Sequence, residues 1–313
     1  MKKIFVLFGA CALLVVGYIA IASSYKFEMY DAAMDYEASL SGLSSKSIAT
    51  EVGEISYYEN QQLSSKPTIL LVHGFGAYKE NWLRFARSFK DDFHVIVVDL
   101  PGHGKSVRTL TLNYNLDNQV KWLNDFTEKL SLNQFHMAGN SMGGAITASF
   151  ANNYPEKILT ATLINPAGVN DYRAIMQDYL DKGVNPLVVS KPSDFSGLMD
   201  FALEKKPFVP WPITEVSALR AIELKEVHEK LWLDIKSGLY QEFKVQLKGI
   251  KAPTLIQWGE MDRVINYKNI TVFEKLIPNS TAHVWSNIGH APMIEIPYQS
   301  AELMIDHIRQ HEN

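Results

Sequence analysis

Cysteine is almost absent. Cys11 is the only one in 313 residues, which excludes a disulfide framework and any cysteine-based metal site. Surplus positive charge is missing as well: 30 lysines and arginines stand against 34 aspartates and glutamates, and the net charge is −4. No basic run follows the first three residues. A protein that neutralises phosphate backbones needs a cationic face, so nucleic acid is excluded as a partner. The length suits one large α/β domain carrying an insertion, or two modest domains.

What is present begins with an uncharged run. Met1-Lys2-Lys3 precedes residues 4–22, long enough to cross a bilayer as a helix. The lysines should stay in the cytoplasm, which places everything after Ser23 on the other side of the membrane. Residues 1–22 are therefore read as a transmembrane anchor or signal. Ala20-Ile21-Ala22 fits a signal-peptidase site, and secretion after cleavage is the alternative. The uncleaved anchor is preferred because the run is longer than an ordinary signal core. Phe8-Gly9-Ala10-Cys11 is a poor lipoprotein box, because its apolar lead-in is short. Residues 23–45 follow as an amphipathic linker helix with Phe27, Tyr30, Met34 and Leu40 on its apolar side. It can lie on the membrane surface or pack on the catalytic domain, and packing is the simpler expectation.

Residues 47–58 alternate as a strand pair. Thr68-Ile69-Leu70-Leu71-Val72 is a continuous apolar run of the kind found in a central parallel strand covered on both faces. A helix over residues 81–89, a strand over 94–98, a turn-rich loop over 99–106 and a helix over 117–130 come next. Further β-like runs lie at residues 135–138, 160–164, 254–258 and 283–285. Strands alternating with helices at this spacing predict an α/β fold, a doubly wound and mostly parallel sheet built from residues 46–169 and 250–313. The alternation fails over residues 170–249, where five prolines accompany Phe201, Phe208 and Trp211. This segment reads as an inserted helical cap, or lid, over the carboxyl ends of the strands, where such sheets bind ligands. Most of its aromatics glue the cap together, whereas Phe208 and Trp211 belong to a stretch apolar enough to line an acyl pocket or touch a membrane.

The chemistry centres on Gly139-Asn140-Ser141-Met142-Gly143-Gly144. This stretch lies between a β run and a small-residue helix, the setting of a nucleophile elbow. A helix N-terminus behind the serine directs N–H groups at any anion formed there. A serine nucleophile needs a base, a group to orient the base, and oxyanion donors. His290, in a loop after the last β run, suits the base. His94, His136 and His283 sit in or near strands, His228 in the cap, and His307 and His311 in the terminal helix. His73 shapes the loop that ends its strand, and His103 is a turn residue. For the orienting acid Asp262 is preferred, a few positions past a strand end, with Glu260 in reserve. Asp99 precedes the serine and stabilises its own loop. The oxyanion donors are the backbone amides of Phe75 and Met142.

His73-Gly74-Phe75-Gly76, Asp99-Leu100-Pro101-Gly102-His103-Gly104, the serine elbow, Asn165-Pro166-Ala167-Gly168, Trp258-Gly259-Glu260-Met261-Asp262 and Gly289-His290 together resemble the α/β-hydrolase superfamily. Within it, the chain is similar to bacterial lipases of the Moraxella and Psychrobacter type and to membrane-anchored monoacylglycerol lipases. The resemblance runs from about residue 46 to the C-terminus and is loose in the cap. It implies Ser141, Asp262 and His290 as a catalytic triad, Phe75 and Met142 as the oxyanion hole, and two-step acyl transfer on a lipid ester or other small acyl ester, with no cofactor and no metal. The elbow also resembles that of carbon–carbon bond hydrolases of ring-cleavage products, which are soluble and cytoplasmic. A non-catalytic anchored binding protein is the remaining alternative; the sign of that class would be a missing triad member, and none is missing.

Overall fold

A computed structural model describes residue 17 and residues 21–60, 66–238 and 241–311. The anchor expected over residues 1–22 lies outside the described residues, apart from residues 17, 21 and 22. Among the described residues no helix is long and apolar enough to cross a membrane.

Eight strands form one sheet: β1 (Leu43–Thr50), β2 (Gly53–Asn60), β3 (Thr68–Val72), β4 (His94–Val98), β5 (Phe135–Asn140), β6 (Ile158–Ile164), β7 (Thr254–Gly259) and β8 (Ser280–Trp285). Their order is β1-β2-β4-β3-β5-β6-β7-β8. β2 is antiparallel to both neighbours, and every other pairing is parallel. β3 to β7 are apolar and buried almost throughout because helices cover both faces. β8 is an edge strand of alternating exposure, so its polar first half carries no apolar run in the sequence, and it starts earlier than expected.

Two cores result, one per face. On one side α3 (Leu116–Lys129), α4 (Met142–Asn153) and α10 (Ile270–Leu276) pack Val120, Phe126, Ile146 and Phe273 against Leu70, Met137 and Trp258. On the other, Trp82, Phe85 and Phe89 meet Ala301, Met304 and Ile308 of the last helix, α11 (Pro297–His311). The helix expected over residues 81–89 is broken into a 3₁₀ turn, Lys79–Trp82, a single α turn, α2 (Leu83–Ala86), and a second 3₁₀ turn, Arg87–Phe89.

Between β6 and β7 the described residues hold no strand. Five helices occupy this region: α5 (Ile175–Leu180), α6 (Pro192–Ala202), α7 (Ile213–Glu223), α8 (Lys225–Gly238) and α9 (Gln241–Gly249). The helix α1 (Lys26–Leu40) packs rather than lying free. Its Tyr30 is buried with Ile213 and Val216 of α7. Lys26 and Asp31 pair with Glu215 (2.6 Å) and Arg220 (2.8 Å) of the same helix. At its other end Glu37 takes Arg87 (2.8 Å) from the sheet-covering layer, so α1 spans cap and core.

Candidate active site

Ser141 sits at the junction of β5 and α4 with φ 56° and ψ −117°, a conformation that L residues avoid and that turns its side chain out of the strand. The turn is this sharp because two glycines let backbone approach backbone. A Cβ on Gly139 would lie 2.1 Å from the Gly143 carbonyl oxygen, and one on Gly143 would lie 2.4 Å from the carbonyl oxygens of Val72 and His73. Ser141 is held by its amide, which donates to Ile164 (3.0 Å), and by its carbonyl, which accepts from Ala145 and Ala167. Its residue is only 8% exposed.

β7 delivers Asp262 at the opposite side of β6. One carboxylate oxygen, Oδ2, accepts from His290 Nδ1 (2.8 Å), Asn165 Nδ2 (2.8 Å) and Trp258 Nε1 (3.0 Å). The other accepts from the amides of Val264 (2.8 Å) and Ile265 (3.0 Å). Five donors on one buried carboxylate fix its orientation. Glu260, the reserve acid, is exposed and its side chain takes no part. Asp99 serves its own loop, buried against Lys79 Nζ (2.6 Å) and the amides of Lys79 and Lys105.

The His290 loop is bound on three sides. The His290 amide donates to Ala202 (2.8 Å) in the cap, its carbonyl accepts from Asn140 Nδ2 (3.0 Å), and the preceding Gly289 amide donates to Glu295 (2.9 Å). Asn140 immediately precedes Ser141, so the elbow and the histidine loop are stitched together at neighbouring positions.

The loop after β3 reaches the same place. A Cβ on Gly74 would lie 3.1 Å from the Ser141 Cβ. Among the described residues neither the Phe75 amide nor the Met142 amide finds an acceptor within the protein. Two unsatisfied donors beside a serine, one of them at a helix N-terminus, suit an anionic oxygen. This loop is propped by buried histidines. His73 donates from Nδ1 to the Gly74 carbonyl (2.8 Å) and accepts at Nε2 from the Leu100 amide (3.0 Å). His103 accepts at Nε2 from the Gly76 amide (3.2 Å). Its ring stands 4.8 Å from His73 and 5.3 Å from His228 of α8. Burial pushes His73 and His228 down to about 4 and His103 well below its ordinary value, so all three are neutral, as the accepting roles of His73 and His103 require.

Phe208 and Trp211 stand apart from this group. Phe208 is 84% exposed, and Trp211 bonds through Nε1 to Glu215 (2.8 Å) at the surface. Neither lines the cleft of about 760 Å³ that opens in the cap among Tyr179, Asn185, Phe201, Trp232 and Leu233. Trp232 connects that cleft to the loop after β3, its ring 5.5 Å from Phe75. Among the described residues no cluster of three or more His, Cys, Asp or Glu could hold a metal ion.

Residues 67–297 match the α/β-hydrolase fold family. The chain belongs to that family. It is 31% identical to Lipase 1 of Psychrobacter immobilis over 86% of this chain and 85% of the relative. It is 30% identical to the monoacylglycerol lipase ABHD6 of Homo sapiens over 79% of this chain and 77% of that one. A crystal structure of a bacterial membrane phospholipase A superposes with a TM-score of 0.90 at 34% identity, covering 100% of both chains. In this α/β hydrolase the residues that sequence reasoning passed over are Asn140, Asn165 and Trp258. Asn165 carried a signal in its place just after an apolar β run and before Pro166-Ala167-Gly168, and the structure gives it φ 46°. His103 is a turn residue and also holds the Gly76 amide.

Proposed function

We propose that this α/β hydrolase cleaves carboxylic esters of lipids through an acyl-enzyme. Ser141 is the nucleophile, His290 the base, Asp262 the carboxylate that orients it, and the Phe75 and Met142 amides form the oxyanion hole. The observation that supports this most directly is the buried 2.8 Å bond from His290 Nδ1 to an Asp262 carboxylate already taken by four other donors. A carboxylate so held keeps the imidazole proton on Nδ1 and leaves Nε2 as the base.

His290 Nε2 takes the Ser141 proton as Oγ bonds to the ester carbonyl carbon. The carbonyl electrons move onto oxygen, where the two amides meet the charge. The C–O bond to the alcohol then breaks as the imidazolium returns its proton to the departing oxygen. Water, deprotonated by His290, attacks the acyl-enzyme, and collapse releases the fatty acid and restores Ser141. The relatives named lipase, monoacylglycerol lipase and membrane phospholipase A favour a lipid ester. The uncharged run over residues 4–22 favours a membrane anchor, with the catalytic domain on the side away from Lys2 and Lys3.

The test is hydrolysis of monoacylglycerols and simple esters of increasing acyl length, with Ser141→Ala beside the native chain. Turnover of medium and long chains that disappears with Ser141→Ala is expected. Activity that survives the substitution would remove Ser141 as nucleophile, and activity confined to the shortest esters would remove the lipid assignment.

A further inference from the structure

The cap presents an apolar patch that its own fold does not cover. It lies on the segment Lys205-Lys206-Pro207-Phe208-Val209-Pro210-Trp211-Pro212, between α6 and α7. Phe208 projects with 84% of its surface in solvent, and Trp211 remains 37% exposed. The turn of helix entering α1 adds Ile21 (62% exposed) and Tyr25 (57%), one helical turn apart and joined by the Tyr25 amide to Ile21 carbonyl bond of 3.0 Å. These two groups form one surface. Glu215 accepts Lys26 on one oxygen (2.6 Å) and Trp211 Nε1 on the other (2.8 Å), and Val209 packs on the cluster of Tyr30, Ile213 and Val216.

We infer that this surface docks on a lipid bilayer. Three observations favour a bilayer over another occupant. The first is composition: phenylalanine, tryptophan and tyrosine with lysines two and three residues before Phe208 is the mixture that settles at the boundary between headgroups and acyl chains. The second is chain continuity, since the uncharged run of residues 4–22 leads directly into the helix whose first turns border the patch. A bilayer that held that run would lie against Phe208 and Trp211. The third is the position of the segment's other end. The Ala202 carbonyl accepts the His290 amide (2.8 Å), and the Glu204 and Lys205 amides both donate to Glu295, which also holds Gly289. The docked loop therefore begins at the backbone that supports the proposed base. The inference rests on the anchor reading and is independent of the serine chemistry. It gives the cap loop a second attachment to the membrane, one that orients the catalytic domain.

The test uses the full chain reconstituted in vesicles of phosphatidylethanolamine and phosphatidylglycerol. With Cys11→Ser as background, Phe208→Cys carries an environment-sensitive fluorophore. The expected result is a blue-shifted emission that spin-labelled lipids quench, while the same label on exposed Val245, placed by Val245→Cys, keeps an aqueous spectrum. A water-like emission at position 208 in the same vesicles overturns the inference. So does a blue shift that lipid quenchers leave untouched and that grows with protein density, because that outcome assigns the patch to a second copy of this chain. In parallel, Phe208→Ser with Trp211→Ser should lower the ratio of activity on vesicle-borne monoacylglycerol to activity on a soluble butyrate ester by about tenfold or more. An unaltered ratio counts against docking. Loss of all esterase activity from the native chain would indict the proposed reaction and leave the fluorescence result standing.

Discussion

Four histidines lie buried as neutral rings, and the acid stability of the protein follows from them. His73, His136 and His228 are each pushed from 6.5 down to about 4, with burial the largest cause. His103 is also lowered, for the same reason. Unfolding exposes these rings to water, where each takes up a proton near its ordinary value. Between about pH 6.5 and 4 the unfolded chain therefore binds more protons than the folded one. Stability present above that window is lost as the pH falls through it. For one ring displaced this far the loss between about pH 7 and 5.5 comes to about 1 kcal/mol, and for three to about 4 kcal/mol. That is a large part of the roughly 5–15 kcal/mol that holds a domain folded. Urea unfolding followed at several pH values across this range should show the midpoint dropping steeply with acid. His136→Gln should flatten the slope by about one proton. His136 is the right ring to remove because, at the start of β5 and away from Ser141 at its end, it bonds Thr160 (2.9 Å) and faces Phe93. A midpoint indifferent to pH in this window, or a slope that His136→Gln leaves intact, would refute the argument.

Three further outcomes are expected. Asp262→Asn places an amide NH₂ among donors from Trp258, Asn165, Val264 and Ile265, so it should misalign His290 and lower kcat by about 10⁴, read as ester turnover by protein that retains its circular dichroism. Gly143→Ala drives a Cβ into two backbone carbonyl oxygens at 2.4 Å that no rotamer change can relieve; a loss of more than about 3 kcal/mol should appear as a lowered denaturation midpoint or as insoluble protein. His103→Phe keeps the ring volume but removes the acceptor for the Gly76 amide. It should cost about 1–3 kcal/mol in kcat/KM through a displaced Phe75 amide, and His103→Gln, which can accept, should recover part of it.

Much of this arrangement was legible because it is written in short-range chemistry. Gly139 and Gly143 announce a turn too tight for a Cβ, and the runs at Thr68–Val72 and His94–Val98 are apolar without alternation, which only a strand covered on both faces tolerates. Asp262 could be preferred to Glu260 by its distance past the strand end. The partners of Asp262 were not legible, because Asn165 and Trp258 meet it only after β6 and β7 pair. The break-up of residues 79–89 into single turns was hidden too: Trp82, Phe85 and Phe89 recur at helical spacing whether or not the helix is continuous. Exposure of Phe208 was equally out of reach, since an apolar residue in a proline-rich stretch reads the same facing a pocket or facing outward.

The clasp between α1 and α7 bears on how the enzyme can breathe. A flap is free when only its two ends are attached, and this cap is held between its ends as well. Lifting α7 from the core requires the Lys26–Glu215 and Asp31–Arg220 pairs and the Tyr30 packing either to break or to carry α1 along. α1 directly follows the uncharged run, so a displacement at either place is felt at the other. Motion of α1 and motion of α7 then become two readings of one mechanical coordinate.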